Sequence, residues 1–248
     1  MENVLNINNL FVQIKGKKII KNFNLSIAKG KVHTLMGPNG SGKSSLAYAI
    51  MGHPSYAISQ GTVAFLGKDV TSFSPDKRAR CGLFLAFQYP HEIVGATVFS
   101  VLKEAYSIKI GKLVTMAKFS SSLFAYMDVL KIDHAFAYRN LNEGFSGGEK
   151  KKFEILQLLI LQPKLAILDE IDSGLDVDAL KVVSEGILHV KKENPDMAIL
   201  IITHYQRILQ YVAPDFVHVM HDGQIKKSGD VSLIKTIDQY GYNELVNG

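Results

Sequence analysis

The chain has 248 residues, 47% hydrophobic and 21% charged, which describes a folded domain with a substantial core and excludes a disordered segment. Its single cysteine, Cys81, excludes a disulfide framework and leaves too few thiolates for one chain to hold an iron–sulfur cluster. The net charge of +5 comes from scattered Lys and Arg, with Lys150-Lys151-Lys152 the longest basic run, so it reads as solubility and attraction for an anionic nucleotide, not as a nucleic-acid footprint. No apolar run approaches the roughly 20 residues of a membrane helix. The opening MENVLNINNL has the pattern of neither a signal peptide nor a transit sequence.

Leu5 to Ile27 reads as strands around a Lys15-Gly16-Lys17 turn. Val32 to Met36 reads as a further strand and Ser45 to Ile50 as a helix. Between them Gly37-Pro38-Asn39-Gly40-Ser41-Gly42-Lys43-Ser44 fits G-x-x-x-x-G-K-[ST] in the strand–loop–helix setting that the pattern requires. Backbone N–H groups of such a loop cradle phosphates, Lys43 reaches the β- and γ-phosphates, and Ser44 binds Mg²⁺. Gly61 to Leu66 reads as a strand, and Ser74 as the N-cap of a short helix with Pro75 at its first position. Leu83 to Phe87 is a buried strand that delivers Gln88 at its end.

Tyr89 to Gly144 changes character. Apolar residues recur at helical spacing (Val98, Val101, Leu102, Ala105, then Leu123, Met127, Leu130), with no turn-separated strands. Met116, Phe119, Phe124 and Met127 are expected in the core of this helical insertion.

Phe145 to Asp176 then places two chemically different features about twenty residues apart. Ser146-Gly147-Gly148 is a small-residue turn opening an amphipathic helix, whose free N–H groups and positive end suit an anion. Pro163 ends that helix, and the apolar strand Leu165 to Leu168 runs into Asp169 and Glu170. A carboxylate ending a buried strand is costly unless it meets a cation. A pair suggests one group to hold Mg²⁺ and one to handle water. Val177 to Lys192 follows as an amphipathic helix, Ala198 to Ile202 as a strand ending in Thr203-His204, and Phe216 to Ser228 as a hairpin turning at Asp222-Gly223. The chain from Val231 reads as a short helix and tail.

In this order the motifs resemble the nucleotide-binding ATPase of the ATP-binding cassette (ABC) family. GPNGSGKS stands as Walker A, Gln88 as the Q-loop, FSGGE as the signature, LAILDE as Walker B, Ser173-Gly174-Leu175-Asp176 as the D-loop and His204 as the switch histidine. The resemblance implies an α/β fold: a P-loop NTPase (RecA-like) core over 1–88 and 150–248, with an N-terminal antiparallel β subdomain and an inserted α-helical subdomain over 89–149. It implies ATP and Mg²⁺ as cofactors, with phosphates held by Gly37 through Ser45 and the metal held by Ser44, Gln88 and Asp169. Glu170, His204 and Lys43 become the catalytic group, Glu170 activating water and His204 contacting the γ-phosphate. Ser146, Gly147, Gly148 and Glu149 close over ATP held by a second subunit, giving an ATP-dependent head-to-tail homodimer across which Asp176 communicates. The family commonly stacks an aromatic on adenine where this chain has Ile14, so adenine selectivity is left open.

The lysines after the signature carry two readings: a solvated helix face, or Lys151 paired with Glu170 or Asp172 so that the base is restrained in the resting monomer. Within the family, GFSGGEKKK, AFQYP, DSGLD, DALKVV and THYQR are similar to the ATPases of the SUF iron–sulfur cluster assembly system, with Ser45 and Ile171 as departures. That similarity implies the scaffold proteins SufB and SufD as partners, a cytoplasmic or plastid-stromal location, no membrane insertion and no nucleic acid. The competing reading is a transporter ATPase docked on separate membrane subunits, which shares every hydrolysis motif.

Overall fold

A computed structural model describes residues 2–247, with side chains described through 242. In chain order its elements are β1 (Asn3–Ile14), β2 (Lys17–Ala28), β3 (Val32–Met36), α1 (Lys43–Met51), β4 (Ala57–Phe65), β5 (Lys68–Asp69), α2 (Pro75–Cys81) and β6 (Leu83–Ala86). There follow β7 (Ile93–Thr97), α3 (Val98–Ile110), α4 (Met116–Val129), β8 (Asn140–Leu141), α5 (Gly147–Leu161), β9 (Leu165–Asp169) and α6 (Val177–Glu193). The chain closes with β10 (Ala198–Ile202), β11 (Phe216–His221), β12 (Gln224–Gly229) and α7 (Ser232–Asn247), the last kinked at Gly241. Two compact units divide these elements: Met1–Leu85, Lys164–Glu170 and Asp196–Gly248 form one, and Ala86–Pro163 with Ile171–Pro195 the other.

In the first unit, β1 and β2 pair through a turn whose residues Lys15 and Gly16 sit at φ 48° and 80°, matching the twist of the flanking strands. With β4 and β5 they form an antiparallel sheet ordered β2-β1-β4-β5. Register shifts between Leu10 and Val12 and between Val12 and Gln13 break the simple alternation of faces along the end of β1 that carries Ile14. The second sheet is ordered β12-β11-β3-β10-β9-β6. Its strands β11, β3, β10 and β9 run parallel, and each of β3, β9 and β10 is buried along its whole length. One apolar cluster joins the two sheets, including Leu5, Phe23, Leu35, Leu46, Phe65 and Leu200.

Two polar devices brace this unit without any sequence signal. Arg78 is almost fully buried on α2 and donates to Ala49 O and Ile50 O at the C-terminus of α1, and to Thr71 O and Phe73 O. Ser74 begins α2 as expected, yet its hydroxyl donates to Asp76 in place of capping a backbone N–H.

The second device is a buried imidazole chain. Ala28 N donates to His33 Nε2 (3.2 Å), His33 Nδ1 lies 3.0 Å from His218 Nε2, and His218 Nδ1 lies 2.8 Å from Ser228 Oγ. Two neutral rings satisfy every link, His33 donating to His218 and His218 to Ser228. Burial pushes both pKa values down to about 4. The unfolded chain takes up protons as pH falls from 6.5 toward 4 while the folded chain does not, so stability is lost across that window. The effect amounts to roughly 3 kcal/mol per ring at most. Melting temperature followed from pH 7 to 4 is expected to fall steeply, and His218→Gln is expected to make the fall shallower.

The second unit is mainly helical, with α3, α4, α5 and α6. It extends beyond the expected 89–149 by taking in α5 and α6. Gly186 lets α6 press against α5 and the end of α4, since a Cβ there would stand 2.6 Å from Ile155 and from Leu130. Phe99 packs edge-on against Phe119, and Phe145 lies between Phe136 and Phe153. Two expectations fail here. A two-stranded ladder, β7 with β8, interrupts the helices where no strand was expected. Met116 is 66% exposed at the start of α4, while Phe119 and Met127 are buried as expected. The helical spacing of Met116 is that of a residue on the first turn, whose outer side the core does not cover.

Candidate functional site

β3, β10 and β9 are parallel and in register, Leu35 beside Ile202 and Ile202 beside Asp169, so their C-terminal ends share one edge of the sheet. Three polar segments leave that edge: Gly37–Gly42 from β3, Asp169-Glu170 from β9 and Thr203-His204 from β10.

The first wraps the N-terminus of α1. Gly37 comes so close to β11 that a Cβ would lie 2.1 Å from Met220 O, and Gly42 takes φ 104° as the residue before the helix. Gly40 faces open space, Asn39 is exposed, and Pro38 O accepts from Ser41 N. Ser41 Oγ is buried with no hydrogen-bond partner. Lys43 folds back onto this loop, its ammonium donating to Gly37 O (2.9 Å) and Pro38 O (3.0 Å). Burial pushes the Lys43 pKa down, against the opposing pull of Glu170 and Asp169. No acidic side chain occupies the first turn of α1, where Ser44 and Ser45 lie half-buried. The result is a concave set of backbone donors at a positive helix end, suited to phosphate oxygens.

The carboxylates meet this loop. Ser44 Oγ donates to Asp169 Oδ1 at 3.2 Å. Glu170 stands at φ 47°, a left-handed backbone costly for a residue with a Cβ, and its N–H donates to Ile202 O at 2.8 Å. His204 Nδ1 approaches Glu170 Oε1 to 3.3 Å, close enough for an ion pair but not aligned as a hydrogen bond. Thr203 Oγ1 accepts from Tyr205 N and donates to Tyr205 O, fixing the turn that presents His204, whose ring centroid lies 3.9 Å from that of Tyr205. Lys43, Ser44, Asp169, Glu170 and His204 are thus brought to one place. Among the described residues no three His, Cys, Asp or Glu side chains form a metal cage. The hydroxyl–carboxylate pair Ser44–Asp169 offers hard oxygen donors of the kind that suit Mg²⁺.

The remaining candidates lie in the other unit. Ser146 caps α5 reciprocally: its Oγ accepts from Glu149 N (3.3 Å) and Glu149 Oε2 accepts from Ser146 N (2.7 Å), which holds the Glu149 pKa down. Gly147 meets nothing within 4 Å on the side where a Cβ would stand, and Gly148 only Ala179 and Leu175 at 3.9 Å. Asp176 accepts from Ala179 N at 2.7 Å as the N-cap of α6. The solvated-face reading of Lys151 is overturned. Only 5% exposed, it donates to Phe87 O (3.0 Å) and Gln88 O (2.9 Å), whereas Lys150 pairs with Glu92 near the surface. One residue of this region went unread in the sequence. Glu154, 4% exposed, accepts from Phe87 N at 3.0 Å, and burial pushes its pKa up to about 7. Its signal was a carboxylate between Phe153 and Ile155 on the apolar side of a helix.

A family model described as ABC transporter matches residues 20–173. The chain belongs to the ABC transporter family. Its α/β cassette fold is the one the motifs led us to expect, and it is an ATP-binding ATPase of that family. It is 51% identical over 241 residues to Vegetative protein 296 of Bacillus subtilis, covering 96% of this chain and 92% of the relative. A probable ATP-dependent transporter of Synechocystis is 49% identical over 248 residues, covering 98% and 96%. Among solved structures, a nucleotide-free cassette from an ABC transporter superposes with a TM-score of 0.77 at 25% identity, covering 99% of each chain. A cassette in a dimeric post-hydrolysis state bound to ADP and Pi gives 0.80 at 18% identity, covering 92% of this chain and 98% of the other, and supports the fold alone. No helix among the described residues of this cassette is long and apolar enough to cross a membrane.

Proposed function

We propose that the chain is the ATP-hydrolysing subunit of a SUF-type iron–sulfur cluster assembly machine, in the position called SufC. In this role it dimerises on ATP and drives a conformational change in a SufB–SufD scaffold. The observation that carries the hydrolytic half is the meeting of Ser44 with Asp169 and of His204 with Glu170 beside the Lys43 loop. Lys43 exchanges its two loop carbonyls for the β- and γ-phosphate oxygens, and the N–H groups of Gly37 through Ser45 hold the remaining phosphate charge. Mg²⁺, when bound, neutralises charge between those phosphates, and Ser44, Asp169 and Gln88 are the residues that would hold it. Glu170 Oε takes or polarises a proton of the attacking water, and His204 donates to the γ-phosphate and fixes that water's approach. The N-terminal turn of α5, with Ser146, Gly147, Gly148 and Glu149, closes over ATP held by a second copy, and Asp176 reports across the junction.

The SUF assignment draws its support from the sequence runs GFSGGEKKK, DSGLD and THYQR. The same chemistry serves a transporter ATPase docked on membrane subunits, a reading favoured by the name of the Synechocystis relative, a probable ATP-dependent transporter. Affinity purification from the native host without detergent, with identification of the bound chains, separates them. SufB and SufD are expected in a soluble complex in the cytoplasm or plastid stroma. Recovery only in detergent, with membrane subunits, would sink the SUF reading and leave the ATPase chemistry standing.

A further inference from the structure

The segment after β6 holds its apolar side chains outward: Phe87, Tyr89, Ile93 and Val94 are all exposed. Its backbone is nonetheless gripped from α5. Lys151 and Glu154 are one turn apart on a single face of that helix, and both are buried. Lys151 donates to Phe87 O and Gln88 O, while Glu154 accepts from Phe87 N. Three consecutive peptide groups around Gln88 are therefore held from one helical turn, and the two bonds from the Lys151 ammonium are charge-assisted, the strong kind. An apolar residue at position 154 would fill the same space without the cost of burying a carboxyl group, so packing alone gives no reason for a glutamate there. What the carboxylate adds is the orientation of the Phe87 amide. Gln157 Nε2, at 3.3 Å from Oε1, holds the carboxylate in turn.

We infer that Glu154, acting with Lys151, is a positioning residue for ATP hydrolysis that sets Gln88 from the signature helix. The inference rests on the reading that Gln88 serves the bound nucleotide. The turn that opens α5 addresses ATP on a second copy, while Gln88 addresses ATP on its own. Seating of α5 against a neighbour is thereby passed to Gln88 through one turn of that helix.

A double-mutant cycle tests this on the full chain, with ATP turnover measured across Mg²⁺ concentrations for Gln88→Ala, Glu154→Leu and both together. Glu154→Leu is expected to lower kcat about tenfold while changing the KM for ATP less than about threefold. Glu154→Gln, whose amide oxygen still accepts from Phe87 N, is expected to keep most of the activity. The double variant is expected to be no slower than Gln88→Ala alone, because both changes remove one function. Multiplying losses, or equal losses for the Gln and Leu variants, would overturn the inference. If Gln88→Ala itself leaves turnover unchanged, the role assigned to Gln88 fails first and the inference with it. Binding of a fluorescent ATP analogue reports the folded state. Should Glu154→Leu not fold, Lys151→Met takes its place in the same cycle, with the same non-multiplying loss expected and a multiplying one overturning.

Discussion

Glu170→Gln is expected to slow steady ATP turnover by roughly 10²–10⁴-fold while leaving ATP binding intact. The substitution is close to isosteric, so it keeps the strained backbone at φ 47° and the hydrogen bond from residue 170 N to Ile202 O. It removes only the capacity to accept a proton from water. Lys43, Ser44 and Asp169 still meet the triphosphate, so unhydrolysed ATP is expected to accumulate and hold two copies together. Size-exclusion chromatography with Mg·ATP reads the trapped dimer, and phosphate release reads the turnover. A Gln variant that hydrolyses within a few-fold of the parent would mean that another group handles the water, with His204 the next to examine.

The second large effect is a rescue. Lys43→Ala removes the phosphate ligand from a chain's own loop, and Ser146→Arg puts bulk on the turn offered to a neighbour. Each variant alone is expected to be inactive. In a mixed dimer, the chain with Ser146→Arg keeps its own phosphate loop and receives an intact turn from the chain with Lys43→Ala. Random pairing of equal amounts makes half the dimers mixed, each with one sound site of two, so turnover should recover to about a quarter of the parent value. No recovery on mixing, with both variants folded and able to associate, would argue that each chain hydrolyses ATP without its neighbour.

The phosphate loop, the carboxylate strand and the switch histidine were legible because each is punctuated locally. Glycines mark the loop, an unbroken apolar run marks β9, and charged residues mark where that run meets the sheet edge. The pairing of β3 with both β10 and β11 is a product of topology and carries no local mark. The grip on Gln88 was hidden for another reason. Lys151 sits in a basic run that reads as solvated, and its burial depends on a loop more than sixty residues earlier in the chain. Met116 erred the opposite way: an apolar residue at helical spacing reads as core, but the first turn of α4 has nothing packed over that side. Buried Arg78 and the His33–His218 chain could not be foreseen, because their partners are mostly backbone carbonyls and amides with no residue type to announce them.

The close approach of Gly37 to Met220 has a consequence for biosynthesis. Gly223 N donates to Ser41 O, and Lys21 N donates to Gly223 O, so the hairpin of β11 and β12 forms the floor beneath a loop made far earlier in the chain. A nascent chain carries GPNGSGKS out of the ribosome long before that floor exists. The finished shape of the phosphate loop thus waits on a hairpin made much later in the chain, and a chain cut short of β11 would lack the floor on which Gly37 and Ser41 rest.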